Sequence, residues 1–398
     1  MADTAREAWI TGIGIVSCLG EGPDAHWQGL NSGQPKADGA LFAPYFVHRL
    51  PPLDFDKQIP KKGDQRQMEP WQRIGTYAAG LALDSAGIKG NAEILARTDM
   101  IVAAGGGERD VAADTGILTN LRKAEKPEAF LNERLMSDLR PTLFLAQLSN
   151  LLAGNISIVH NVTGSSRTFM GEESAGVDAV RIAVSRIEAG QSDIALVGGS
   201  HNSERPDLVM LFQFGGFILK DAFAPVGQRQ NNPGLALGSL GAFLVIESRK
   251  HAEARGAKRL ARLSAVVADR SSRRQSGDVT TVLKRLWDKL SGRLQSGNVA
   301  VISGASGAAP ATEEERAFLT SHKDVAVRAP GTYVGHSVEP TFVMNLALAT
   351  MALNRGSLFA PTDQSGVEQP MTGALKQVVV TSVGHWRGEG LALVEAES

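Results

Sequence analysis

The sequence predicts an α/β protein of stacked sheets and helices, built as two similar halves. Three observations carry this. Short apolar, β-branched runs that end in glycine alternate with longer segments of helical apolar spacing. The order of elements near residue 200 is echoed near residue 380. Glycine is abundant, at 43 residues, while aromatics make up only 6%, which suits tight turns and close backbone packing.

The elements follow in order. AWITGIGIV (8–16) is a buried strand, and a helix starts near Asp24 and runs to Leu30. MEPWQRIGTYAAGLALDSAG (68–87) has apolar residues at helical spacing, with Gly87 as a stop. MIVAAGGG (100–107) is a strand running into a glycine turn, and 140–153 reads as a helix after Pro141. SAGVDAVRIAVSRIEAGQ (174–191) is a strong amphipathic helix, followed by the strands DIALVGGS (193–200) and GAFLVIES (241–248). The charged, helix-like KHAEARGAKR (250–259) divides the chain into 1–249 and 250–398. The pattern then restarts with a strand at 262–270, a helix at 278–292 and a strand at 298–307. Helices at 313–321 and 340–354 precede the strands QVVVTSVG (377–384) and GLALVEAE (390–397). Those last two repeat the order of DIALVGGS and GAFLVIES, an internal duplication that implies two sheets flanked and separated by helices.

Composition narrows the function classes. The 398 residues include 43% hydrophobic and carry a formal net charge of -1, enough for a large core and with no basic excess for nucleic acid. Arg270, Arg273 and Arg274 form the most basic spot and read as a solvated loop. The single cysteine, Cys18, excludes an internal disulfide. Together with the lack of an apolar leader, this points to a reducing cytoplasm. No apolar run approaches the roughly 20 residues of a membrane span.

Simple motifs give little. GIGIVS (12–17) lacks the third glycine of a dinucleotide turn, and GGGERD (105–110) lacks the Lys-Ser/Thr of a phosphate loop. No His-x-x-x-His or Cys-x-x-Cys spacing exists, so no metal site is expected. Cys18, just past a buried strand, reads as an inert packed thiol.

A family resemblance rests on several collinear stretches. PGLALGSLGAFLVIESRKHAEARGAK (233–258) resembles the β-ketoacyl-acyl-carrier-protein synthase stretch in which a glycine-rich turn leads into a strand, a glutamate and "His-Ala-x-Ala-Arg-Gly-Ala". WITGIGIVSCLG (9–20), DAFAPVGQRQNN (221–232), GTYVGHSVEP (331–340) and SVGHWRGEG (382–390) are similar to further motifs of that family, in the family's order. The resemblance implies a thiolase-like αβαβα layered sandwich, usually dimeric and without a cofactor.

Carried over residue by residue, the resemblance implies an altered active site. The nucleophilic cysteine position falls on Glu173, the first histidine on Gly304 and the motif lysine on Gly331. Only the second histidine remains, as His336, and His385 takes the place of a gatekeeping phenylalanine. Phe214, in FQFGGF, resembles a residue lining the acyl pocket. In a shifted register Ser165 or Ser166 would approach the site instead. A carboxylate is no acyl acceptor in this chemistry, since its mixed anhydride hydrolyses readily. At a helix start, however, Glu173 would be held as an anion by the free N–H groups and the helix dipole. The expectation is a homologue that does not condense by itself. It would partner an active ketosynthase subunit and an acyl carrier protein, as a chain-length factor does. Malonyl-carrier-protein decarboxylation and plain carrier-protein binding are the alternatives.

Overall fold

The computed structural model describes residues 6–139 and 143–396. Ten strands form its frame: β1 (Ala8–Ser17), β2 (Asp99–Ala104), β3 (Ser166–Met170), β4 (Ile194–His201), β5 (Leu240–Ser248), β6 (Ala261–Asp269), β7 (Val299–Ile302), β8 (Ala326–Arg328), β9 (Gln377–Val383) and β10 (Glu389–Glu395). Seven helices pack on the sheet or border the site: α1 (Pro70–Ser85), α2 (Leu151–His160), α3 (Glu172–Glu188), α4 (Pro206–Phe214), α5 (Asp278–Ser291), α6 (Ala311–Leu319) and α7 (Thr341–Arg355).

The strand order is β3-β2-β4-β5-β1 in the first half and β8-β7-β9-β10-β6 in the second. Each half places its third, second and fourth strands side by side and parallel. In each, the fourth, fifth and first then pair antiparallel. The duplication read from the sequence is therefore a duplication of topology. The halves join where Ala8–Ile10 of β1 pairs with β6, making one 11-stranded sheet that includes the two-residue strand Gly20–Glu21.

Five layers result. Helices α1 and α2 cover the first half through Tyr77, Ala82, Leu152 and Ile156, packed on Val102, Leu196 and Phe243. Helices α5 and α6 cover the second half through Leu283, Leu286 and Phe318 on Val301, Val379 and Leu393. Between the halves lie α3 and α7, whose Val180, Ala183, Phe342 and Leu346 share one buried cluster with strand residues of both halves. The fold is the thiolase-like αβαβα sandwich. Among the described residues, no helix is long and apolar enough to cross a membrane.

Two local features have clear causes. Gly12 and Gly14 lie inside β1, as the strand reading of 8–16 expects. A Cβ on Gly14 would stand 2.0 Å from Ala78 O, so the glycines let α1 press against the strand. The dividing segment is anchored through Glu247 at the end of β5, which is fully buried and accepts from Thr11, His251 Nδ1 and Arg255.

The sequence reading merged or missed some elements. The helix expected at 140–153 is two helices, Leu143–Ala146 and α2, and Pro141 lies outside the described residues. The strand expected to run to residue 307 ends at Ile302 and gives way to a loop. Helices Val111–Leu121 and Pro127–Asp138 and strand β3 were not anticipated.

Candidate functional site

The site forms where β3 turns into α3. Gly171 (φ 89) and Glu172 (φ 63) both take positive φ, which swings the chain sharply from strand into helix. Glu173 follows in the first helical turn and is 3% exposed. Its carboxylate thus sits beside free backbone N–H groups at the positive end of a 17-residue helix.

Two imidazoles converge on it. His336 Nε2 donates to Glu173 Oε1 at 2.8 Å, and His385 Nδ1 donates to the same oxygen at 2.6 Å. A carboxylate can only accept, so both ring nitrogens carry their protons toward it. The rings stand edge to face with centroids 4.9 Å apart. Burial alone would raise the Glu173 pKa, but His385 and His336 overcome it and hold the carboxyl well below the usual carboxylate range. Burial pushes His336 down, and its bond to Glu173 only partly offsets this. The other oxygen, Oε2, is buried with no hydrogen-bond partner among the described residues. It fits beside Gly384, where a Cβ would stand 3.0 Å from it.

Behind the rings a relay fixes their orientation. Ser306 Oγ lies 2.8 Å from His385 Nε2 and accepts from the Ala308 N–H at 3.2 Å. In the neutral ring, with His385 donating from Nδ1, Nε2 accepts from the Ser306 hydroxyl, so both ring nitrogens are bonded. Arg273 holds the loop that carries His385: Nη1 donates to His385 O at 3.0 Å, and Nη2 pairs with the buried Glu389 at 2.7 Å. Arg270 and Arg274 are exposed, as a solvated loop should be, but Arg273 is not. Arg387 in the same loop pairs with Glu172 at 3.0 Å.

Several sequence expectations change here. His336 is not alone: a second imidazole arrives from the terminal loop, 49 positions along the chain in the sequence, on the residue expected to gate an acyl pocket. His385 is turned onto Glu173 instead. Phe214 is 82% exposed, whereas Phe212 is buried and packs against His385 and Trp386. Two residues on a helix differ by about 200° in direction, so only one of the pair can face inward. Gly304 and Gly331 are closed over by backbone: a Cβ would stand 2.6 Å from Thr381 O at the first and 2.8 Å from Ala305 O at the second. Ser165 and Ser166 are exposed at the start of β3, away from Glu173. Cys18 is buried, donates to Tyr333 O at 3.0 Å, and burial pushes its pKa up to about 12, so it is inert.

Among the described residues, Glu173, His336 and His385 are the one group of three metal-type side chains with donor atoms within 4.8 Å of one another. Spacing rules miss it because its members lie 163 and 212 residues apart. Yet the contacts of 2.6 and 2.8 Å are hydrogen-bond lengths. Bonds of about 2.0–2.1 Å to a divalent ion would hold the donors more than ~3 Å apart. As arranged, this is a doubly hydrogen-bonded carboxylate.

Residues 5–252 match the family described as "Beta-ketoacyl synthase, N-terminal domain". The chain belongs to the β-ketoacyl synthase family. It is 25% identical over 265 residues to the 3-oxoacyl-[acyl-carrier-protein] synthase 2 of Vibrio cholerae serotype O1, covering 64% of this chain and 60% of that protein. The chain thus matches about three fifths of the length of the first such relatives. Over 382 residues it is 25% identical to the tetracenomycin polyketide synthase ketoacyl synthase beta subunit of Streptomyces glaucescens, covering 92% and 89% of the two chains. The ishigamide ketosynthase/chain length factor superposes with a TM-score of 0.80 at 19% identity, covering 99% of this chain and all of the other. A type II polyketide acyl-carrier protein in complex with its ketosynthase gives 0.77 at 15% identity over 99% of this chain. These structures share the fold. At the head of α3 this chain carries a Glu-His-His cluster, with no cysteine.

Proposed function

We propose that this protein is a non-condensing ketosynthase homologue that completes a dimer with an active ketosynthase and helps to shape the site for an acyl chain delivered on a carrier protein. One observation carries the reading. The residue at the head of α3 is a buried carboxylate on which both nearby imidazoles are spent. No thiolate is available to take an acyl group. The N–H donors that could stabilise a decarboxylating malonyl group are already bonded to Glu173 Oε1, and its negative charge would repel such a group. The backbone closed over Gly304 and Gly331 supports the same reading, since it leaves no room for a further histidine or lysine.

A second chain is favoured by the outer edge of the first half. Strand β3 ends the sheet with one side unpaired among the described residues, and Met170 at its end is 67% exposed. Such edges are templates for strand pairing. Phe144, Ile158, Met210 and Phe214 are also exposed apolar side chains. The beta-subunit relative, matched over 89% of its length, is consistent with a subunit role.

Co-expression with each complete ketosynthase and carrier protein of its source tests the proposal. The expected result is an equimolar complex that makes an elongated acyl product only when both synthase chains are present. A protein that associates strictly with itself and ignores every ketosynthase and carrier protein overturns it. So does release of acetyl-carrier protein from malonyl-carrier protein above a Glu173→Ala control.

A further inference from the structure

A cavity of about 200 Å³ lies beside the Glu173 cluster without including its two histidines. One wall is apolar and aromatic, from Trp71, Leu208, Phe212 and Trp386. Its polar side chains are His201, Glu339, Arg205, Glu172, Ser200 and Asn202; Ser200 Oγ is already bonded to Trp71 O and Asn202 to Glu108. His201 is 8% exposed, and it presents Nδ1 toward Glu339. Nδ1 of the same ring stands 4.0 Å from Glu339 Oε2, too far for a direct hydrogen bond. The separation leaves room for one oxygen between Nδ1 and Oε2, within hydrogen-bond reach of both.

From this geometry we infer that the cavity takes an acyl ligand whose inserted end has an apolar body and a single hydroxyl, bridging His201 and Glu339. This rests on the acyl-chain reading above and specifies which chain end the site accepts. A hydroxyl both donates and accepts, as the pair requires. Burial and the neighbouring Glu173 push the Glu339 carboxyl up to about 8, so at neutral pH it offers an O–H as well as a carbonyl oxygen. Burial pushes His201 down to about 3, so its ring is neutral and presents one donor and one acceptor nitrogen. A carboxylate end would meet Glu172 on the lining and Glu173 behind it. An ammonium end would meet Arg205 and would lose more hydration than a hydroxyl. The volume suits a single ring or a short unsaturated segment, being comparable to cavities that hold benzene.

Two of the lining residues are tryptophans, Trp71 and Trp386, so ligand entry is read directly from intrinsic fluorescence and checked by calorimetry. The full chain, alone and in its ketosynthase complex, is titrated with para-ethylphenol, ethylbenzene and para-ethylaniline. Para-ethylphenol is expected to bind about ten-fold more tightly than ethylbenzene, the worth of one net buried hydrogen bond. Glu339→Leu and His201→Phe should each erase that preference, while Glu339→Gln, which keeps donor and acceptor, should retain most of it. Circular dichroism identifies a variant that fails to fold, and the Glu339→Gln comparison and the wild-type ligand series then decide alone. Equal binding of the phenol and the hydrocarbon, no binding of either, or a preference for the aniline overturns the inference. If the hydroxyl preference fails while the ketosynthase complex forms, only the site assignment falls. If the complex fails while the preference holds, only the partner reading falls.

Discussion

At the scale of the residue, Glu173 is a buried anion at the head of α3, and the surrounding groups are arranged for that anion. Helix dipole, His336 and His385 all favour the charged form, and together they outweigh its burial. Glu173→Cys therefore places a thiol where the helix field and two imidazoles favour the thiolate. The expected outcome is alkylation by iodoacetamide, followed by mass spectrometry, without chain elongation from acyl- and malonyl-carrier protein. Gly304 supplies no imidazole, and Thr381 O occupies the space one would need. A lost charge-stabilising donor costs on the order of 100- to 1,000-fold in rate. Measurable elongation by the single variant would show that a complete catalytic set survives. Glu339 gives a second outcome, with the opposite sign from Glu173. Its pKa in the folded chain, about 8, lies above its ordinary 4.5, so its contribution to stability is full below 4.5 and is lost as pH rises to about 8. Glu173 is depressed, so its contribution is present at neutral pH and is lost only as pH falls below the carboxylate range. Thermal melts across pH 5 to 8 should show wild type losing stability relative to Glu339→Gln. Parallel profiles would mean that Glu339 is already ionised in the fold.

At the scale of the element, the terminal loop between β9 and β10 does what the sequence could not reveal. Gly384, His385, Arg387 and Glu389 meet Glu173, Glu172 and Arg273 across separations of more than 100 residues. The helix α3 and its first-turn acids were legible from periodicity. The second imidazole was not, because a family register assigns roles by position and cannot follow a side chain that turns to a new partner. The same limit explains Phe214: the motif located the helix, but one residue's rotation decides which aromatic faces inward. Small strands and helices such as Val111–Leu121 escaped because their apolar residues do not line one face, and in that helix only Ile117 is buried. The Arg273 pair offers a measurement at this scale. Glu389 is fully buried in its side chain, and Arg273 is 16% exposed. Truncation of Arg273 leaves that carboxylate uncompensated and frees the loop carrying His385. Arg273→Ala should cost about 2–4 kcal/mol in denaturant unfolding, while Arg270→Ala, on an exposed side chain, should stay within about 0.5 kcal/mol. Equal small effects would return Arg273 to the solvated loop that its sequence context suggested.

At the scale of the whole molecule, the duplication was readable because each half repeats a strand ending in small residues and then an apolar strand with a buried or bridging acid, Glu247 in one and Glu395 in the other. The layer order follows from burial: β1, β5, β9 and β10 carry almost unbroken buried runs, which only helices on both faces can cover. The sheet is open at both ends, at β8 and at β3, and the β3 edge is the one next to the site. Strand β3 leads directly into Glu173, so a partner docked there would buttress the turn that sets the carboxylate. Met170 and Phe214 are largely exposed in the single chain, and polar replacements there should leave the monomer's stability within about 0.5 kcal/mol. Met170→Asp and Phe214→Asp, each co-expressed with the partner ketosynthase, should therefore fold with an unchanged melting temperature as free chains yet be recovered as the 42.2 kDa monomer by light scattering. Burying an unpaired carboxylate in an interface costs more than a typical dimer contact can absorb. Complexes that survive both substitutions would place the partner on a different face and remove β3 from the assembly.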